Sequence, residues 1–478
     1  MVHAQQAWQQ DKLSGMSFKN NAGIIILILI FILSNLAFLN FYSDVWWDSA
    51  VYIGMGKYIY SLGDSGLWEN SRQIMWPLIL GLLWKIGLNP VIFGRIAEII
   101  FGSLCILLTY LIGLKIFDKK VALLSSIFLA ISPTFLFFNG VMLSEIVSTF
   151  FSLIAAYFLI KRRYLLCGIA FGISFMTRFI QLFAFIAILL TYLIYSRKNA
   201  KTILKLSLGF VIPVMPYLML NQALYSNLFL PFSQQLFLTR NSGWQNYYSI
   251  SYYFLELFKE SFLYLFVILG IILSFKYKDV NKKYVAMSFI FFIIFFNSVN
   301  QKEMRFLIVL LPFMYLLISF SLIYLFNYFK KGIIKKALTA IIIISIALSF
   351  STTYYYFKNE KNKIDTYEIM QEKLQSLDAN SKIWISSPVI SVLSNIRPDK
   401  LMYYPVFNEE KKKEFFNEFK NADFIFIDSC DLGCKPNDIN CEDGKRELLS
   451  FLKQSFIIIY SSKAEKCEQF IFKQRVTV

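Results

Sequence analysis

Eleven apolar runs, most of them near twenty residues long, fill the first 354 residues of this 478-residue chain and are separated by short basic clusters. They fall at 22–42, 92–114, 121–139, 143–160, 165–178, 180–196, 203–221, 260–275, 284–300, 305–327 and 334–353. A helix needs about 20 such residues to cross the hydrocarbon layer, so each run is expected to span a membrane. The whole chain is 57% hydrophobic and 17% charged, where soluble domains are about 45–50% and 25%. That composition excludes a disordered chain, a collagen and a small disulfide scaffold, and argues against a soluble enzyme. The run 22–42 has no small-residue cleavage site and is too long for a signal peptide's apolar core, so it is expected to remain as an anchor.

Charge fixes an expected orientation. The net charge is +17, yet residues 355–478 hold 19 basic and 19 acidic side chains, so all the excess lies in the apolar part. With eleven spans, alternate connections collect 20 bases against three acids, Asp11, Asp118 and Asp279. Basic connections stay cytoplasmic, which puts the leader 1–21 inside and the loops 43–91 and 222–259 and the tail 355–478 outside the cell membrane. Bases clustered between apolar runs are a topology signal and give no reason to expect nucleic acid. The expected organisation is thus the leader, a transmembrane domain over 22–354 and an extracytoplasmic domain over 355–478.

The tail alternates β-rich runs (382–386, 401–405, 423–428, 456–460) with helix-like segments (365–377, 408–420, 443–454), which predicts a small α/β domain with some parallel sheet. No glycine-rich phosphate loop follows any of these strands. Four of the six cysteines lie here: Cys430, Cys434, Cys441 and Cys467. On an outer face two disulfides are expected, with a cysteine-only zinc site as the alternative.

His3 is the one histidine, and it sits in the leader. Imidazole base catalysis, a Ser-His-Asp triad and a histidine-bound zinc are therefore excluded, and any catalysis falls to carboxylates and bases. Charged groups at membrane depth are candidates by default. The acidic ones are Asp48, which follows the first run, Glu145, which opens the fourth, Glu303, between Lys302 and Arg305, and Asp44, which reads as a helix cap or interfacial residue. Glu98, three residues after Arg95, reads as half of an ion pair on one helix face. The basic ones near the outer face are Arg72, Arg178, Arg240, Lys302 and Arg305. Convergence of two or three of them would make an anion site, and an interfacial anion is most naturally a lipid phosphate. Trp47 and Trp244 could stack on sugar faces or sit in the interfacial aromatic belt.

The segments WWDSAVYIGMGKYIYSLGD and SRQIMWPLILGLLWKIG resemble the first outer loop of the GT-C membrane glycosyltransferases. The likeness is to the branch of protein O-mannosyltransferases and lipid A aminoarabinose transferases. Asp48, Tyr52 and Trp76-Pro77-Leu78 match that branch's pattern. Glu145 matches its acidic residue after the third span, KEMRFLIVLLP its late arginine segment through Arg305, and MTRF its basic element at Arg178. Ser49 departs from the pattern, which often has Glu there. The resemblance covers about residues 20–330 and none of the tail.

This resemblance implies an enzyme that moves a sugar, mannose or a related hexose, from a polyprenyl-phosphate donor to an acceptor hydroxyl on a protein, glycan or lipid. Asp48 would be the general base of an inverting reaction. Arg305, Lys302 and Arg178 would hold the donor phosphate, with a divalent cation, Mg or Mn, near Glu145. Tyr52, Arg72, Trp47 and Trp244 would belong to the substrate loops. A transporter or flippase of lipid-linked saccharides is the alternative, as is a non-catalytic subunit. Under the enzyme reading, Asp48, Glu145 and Arg305 must meet in space.

Overall fold

The computed structural model describes residues 22–42, 45–195, 200–241, 246–329, 332–361, 367–378, 380–402, 409–434, 437–464 and 467–475. Each expected span is helical. In chain order the helices are α1 (Ala22–Phe38), α2 (Trp47–Tyr60), α3 (Met75–Lys85), α4 (Pro90–Ile116), α5 (Lys119–Ala130), α6 (Pro133–Phe138), α7 (Ser144–Ile160) and α8 (Tyr164–Thr177). They continue with α9 (Leu182–Tyr195), α10 (Ala200–Tyr225), α11 (Leu230–Asn241), α12 (Tyr252–Glu260), α13 (Phe266–Lys276), α14 (Val280–Ser298), α15 (Leu311–Tyr328) and α16 (Gly332–Lys361). Six of these (α1 with its 3₁₀ extension to Phe41, α4, α10, α14, α15 and α16) are long and apolar enough to cross a bilayer unaided; α3, α7, α8, α9 and α13 are shorter apolar helices, α9 and α13 being extended by short 3₁₀ turns. The run 121–139 is not one helix. Ser132 accepts from the Phe135 amide and Pro133 opens α6, so the chain stops and restarts there.

Helices α1, α10 and α16 leave most of their apolar surface outward, as lipid-facing helices do, while α4 and α15 bury most of theirs. Small residues set the close approaches. A Cβ on Gly168 of α8 would lie 2.2 Å from the Leu206 carbonyl oxygen of α10, and one on Gly209 would lie 2.2 Å from that of Leu165. The expected loop 43–91 is built from α2 and α3, packed backbone to backbone: a Cβ on Gly56 would stand 2.5 Å from the Pro77 carbonyl oxygen. The 222–259 segment holds α11 and α12. It is tied down where Lys302 N donates to Asn246 O (2.8 Å) and Tyr248 N to Asn300 O (3.2 Å). Glu260, buried at the end of α12, accepts from Thr134 (2.5 Å), Tyr264 (3.2 Å) and Tyr356 (3.3 Å), which fastens α12 to α6 and α16.

Beyond α16 lies a five-stranded sheet in the order β2-β1-β3-β5-β4, with β1 (Ile383–Ile385), β2 (Lys400–Leu401), β3 (Phe424–Asp428), β4 (Phe456–Ala464) and β5 (Cys467–Gln474). β1 pairs parallel with β2 and β3, while β5 is antiparallel to β3 and β4. Period-two alternation fills both faces. Ile425, Ile427, Phe470 and Phe472 pack with α19 (Glu409–Glu418) and α20 (Ile439–Ser455), which follow the short α17 (Glu368–Gln375) and α18 (Pro388–Ser391). Ile383, Ile385, Phe426 and Ile471 pack the other face against Met370 and Leu374 of α17. Disulfides join Cys430 to Cys467 and Cys434 to Cys441, with Cα separations of 5.4 and 5.7 Å. The sheet sits directly on the α2–α3 pair. Val389 and Val392 share one apolar cluster with Ala50, Tyr52 and Ile53, and Arg397 donates to the Gly63 carbonyl (3.1 Å).

Candidate active site

Four separate stretches of chain deliver charge to one place at the ends of the helices. Asp48 sits in the first turn of α2, where the helix dipole favours a carboxylate. Glu145 occupies the same position in α7. Arg178 caps the end of α8. Arg305 rides on the 3₁₀ turn Met304–Val309 ahead of α15.

These side chains interlock. The Asp48 carboxylate is held on one oxygen by Arg72 (Nη2 to Oδ1, 2.7 Å) and on the other by Arg305 (Nη1 to Oδ2, 2.6 Å). Arg305 Nε reaches Glu303 at 2.6 Å and Glu145 at 3.9 Å. Arg178 Nη1 lies 2.5 Å from Glu145 and 3.5 Å from the Ser144 hydroxyl. Arg72 Nε lies 2.9 Å from Glu69, which also accepts from Ser71. Tyr52, one turn beyond Asp48, shares a hydrogen bond with Ser144 (3.2 Å) and lies under the Arg72 guanidinium. The Phe306 ring carries Arg178 on one contact and Arg305 on another, at 5.4 and 5.5 Å.

Three guanidiniums and four carboxylates therefore form one continuous network. All three arginines are 13–17% exposed, so solvent screens them weakly. Burial raises the Asp48 carboxyl, but the Arg72 and Arg305 charges and their hydrogen bonds outweigh it and hold the group well below the usual carboxylate range. Burial pushes the Tyr52 phenol up.

The structure thus unites Asp48, Glu145, Arg178, Arg305, Arg72 and Tyr52. It does not bring Lys302 in: that ammonium donates to the Val299 carbonyl at 2.5 Å. The reason is local. Residues 301–303 run extended, so Lys302 and Glu303 point to opposite sides, and Glu303 takes the side facing Arg305. Trp47 packs beside Val51, Met55 and Leu67 with Leu401 of β2, as part of the seam under the sheet. Trp244 and Asp44 lie outside the described residues. Glu98 corrects the ion-pair expectation, because its oxygens accept the amides of Met142 (2.5 Å) and Leu143 (3.0 Å), fixing the turn that leads into Glu145. Glu303, a carboxylate candidate from the sequence, is the second partner of Arg305, whereas Glu69, the second partner of Arg72 and three residues before it, was not singled out from the sequence.

A divalent cation beside Glu145 does not fit this arrangement. Among the described residues, the one set of three acidic or thiol ligand atoms within 4.8 Å of one another is Asp428, Cys430 and Cys467, whose cysteines are joined in a disulfide. At the site, Glu145 and Asp48 are already held by guanidiniums.

A family profile for dolichyl-phosphate-mannose-protein mannosyltransferases matches residues 71–220, the stretch that carries Arg72, Glu145 and Arg178. Among solved structures, ArnT from Cupriavidus metallidurans bound to undecaprenyl phosphate is similar with a TM-score of 0.67 at 11% identity, over 96% of this chain and 99% of that one. The archaeal oligosaccharyltransferase AglB from Archaeoglobus fulgidus, in complex with an inhibitory peptide and a dolichol-phosphate, gives 0.59 at 14% identity, over 86% of this chain and 70% of that one. No curated protein matches the chain in sequence. The chain is a polytopic membrane protein with the GT-C fold. The matched segment and the fold make the chain similar to the GT-C membrane glycosyltransferases.

Proposed function

We propose that the protein transfers a sugar, mannose or a related hexose, from a polyprenyl-phosphate donor to an acceptor hydroxyl on a protein, glycan or lipid. The reaction takes place at the outer face of the cell membrane, with eleven spans, the N-terminus cytoplasmic and the C-terminal domain outside. One observation carries this reading: Asp48, Glu145 and Arg305, far apart in sequence, share a network with two further arginines.

The donor phosphate competes with the carboxylates for Arg72, Arg178 and Arg305. As its oxygens take those donors, Asp48 is released from ion pairing and becomes an available acceptor. Asp48 then removes the acceptor hydroxyl proton while that oxygen attacks the anomeric carbon. The bond from that carbon to the phosphate oxygen breaks, the polyprenyl phosphate leaves, and the configuration inverts. Charge develops on the departing phosphate, where fixed guanidiniums stabilise it most. Glu69, Glu303 and Glu145 keep the arginines aimed at that point. Tyr52 and Ser144 line the floor between Arg72 and Arg178, and the sheet domain above α2 bounds the acceptor side.

The test supplies radiolabelled polyprenyl-phosphate mannose or glucose to the protein in nanodiscs, with protein, glycan and lipid acceptors in separate reactions. Label moving into one acceptor class supports the reading and names the acceptor. Release of label to none, from either donor, contradicts it for these sugars.

A further inference from the structure

A second group of cations lies at the seam between the sheet domain and the helices. Lys57 is on α2, nine residues after Asp48, and is buried. Its ammonium donates to the main-chain carbonyls of Val392 (2.9 Å) and Ser394 (2.7 Å) in the stretch after α18. Among the described residues no carboxylate pairs with it, and its third N–H has no protein acceptor. A buried ammonium without a counter-ion is costly. Burial accordingly lowers its pKa to about 8.

Lys57 lines a cleft of about 480 Å³. One wall is the turn from α3 to α4, with Trp84, Lys85 and Asn89; the other is the sheet domain, with Leu393 and Asn395. The lining holds two ammoniums and no acid. Asn89 uses its side-chain oxygen on the amides of Val91 and Ile92, at 2.9 and 3.2 Å. Asn395 uses its own to accept from the Trp84 indole at 3.2 Å. The NH₂ groups of both amides remain as donors. The positive end of the 27-residue α4 opens at Asn89. The two ammoniums, the two amide NH₂ groups and the positive end of α4 favour an anion there. Beside it, on the same turn and the first turn of α4, Ile86 and Ile92 are 62% and 53% exposed, which marks an apolar surroundings suited to acyl chains.

We propose that this cleft binds the phosphate headgroup of an anionic membrane lipid, with Lys57 and Lys85 as its charge partners. The site is separate from the arginine network and does not depend on the transfer reading. A lipid held there would bridge the sheet domain to the α3–α4 turn at the membrane surface.

Native mass spectrometry of the full-length protein, delipidated in detergent and titrated with phosphatidylglycerol or phosphatidylcholine, tests this. The expected result is one phosphatidylglycerol site at least about tenfold tighter than any phosphatidylcholine site. Lys85→Gln, at an exposed position, weakens it about tenfold, the weight of one charge-assisted hydrogen bond. Lys57→Met weakens it further; if that variant does not fold, Asn395→Ala takes its place with a smaller loss. Equal phosphatidylglycerol affinity in wild type and Lys85→Gln overturns the site. Equal affinity for the two lipids overturns the anionic preference. Displacement of phosphatidylglycerol by millimolar inorganic phosphate assigns the cleft to free phosphate and overturns the lipid.

Discussion

Replacing Arg305 with lysine isolates what a guanidinium does at the centre of the network. Arg305 serves two carboxylates at once, Asp48 through Nη1 and Glu303 through Nε, each at 2.6 Å, with Glu145 at 3.9 Å. Lysine keeps the charge but offers a point ammonium in place of a planar fork, so it cannot hold both partners in that geometry. One charge-assisted hydrogen bond is lost, about 1.5–3 kcal/mol. At 13% exposure, solvent restores little of it. If the same donors meet the departing phosphate, the loss appears in the transition state and lowers kcat/KM by roughly 10- to 150-fold. The assay is single-turnover label transfer from polyprenyl-phosphate sugar in nanodiscs, with Tm measured on the same samples. A folded Arg305→Lys protein whose kcat/KM stays within about threefold of wild type would refute the role given to the fork.

Other perturbations probe the frame around the site. Cys430→Ser opens a loop with a sequence separation of 37 and Cys434→Ser one of 7. Loop entropy then predicts losses of about 4 and about 2.5 kcal/mol in the sheet domain, read by chemical denaturation, and equal losses would contradict that ordering. Burial, with the Asp428 charge beside it, pushes the Asp431 carboxyl up to about 7 against hydrogen bonds from Ser386 and Tyr367. The folded state therefore holds that proton more tightly than the unfolded chain, so the domain gains stability as pH falls from about 7 toward 4 and loses it as pH rises. Asp431→Asn flattens this part of the pH profile of Tm. Gly56→Ala drives a methyl into the Pro77 carbonyl and Gly81 backbone, with an expected cost of about 1–3 kcal/mol by overpacking and a lower Tm.

Much of this was legible because charge is costly among apolar residues. Asp48, Glu145, Arg178 and Arg305 stand out in any reading of a chain this hydrophobic, and the network joins all four. The span pattern was visible for the same reason, since backbone groups in lipid must be satisfied within helices. The break at Ser132–Pro133 was signalled by its residues, yet continuous hydropathy across 121–139 hid it. Lys302 misled because neighbours in an extended stretch face opposite ways, and nothing in the local sequence says which one turns inward. Glu69 gained meaning only from the tertiary contacts of Arg72. Strand β5 carries the expected alternation at Phe470 and Phe472, but its apolar centre is only Phe470–Phe472 with polar residues on both sides, so it escaped the reading. The docking of the sheet on α2 combines an apolar cluster with bonds from Lys57 and Arg397 to main-chain carbonyls, and acceptors of that kind leave no mark in sequence.

Asp48→Asn tests the central claim most directly. The change is near-isosteric and removes the base; the amide oxygen still accepts from one of Arg72 and Arg305, while its NH₂ cannot accept from the other. Transfer from the polyprenyl-phosphate donor is measured for wild type and variant at matched, folded concentration across pH 5–8. General-base catalysis is worth about 10²–10⁴, so the account predicts a fall of at least 100-fold at every pH. Within that range kcat/KM of wild type shows no inflection from Asp48, because in the donor-free protein its carboxyl is held below the ordinary value and titrates only at more acid pH. Transfer by Asp48→Asn at the wild-type rate would contradict the assignment of Asp48 as the base.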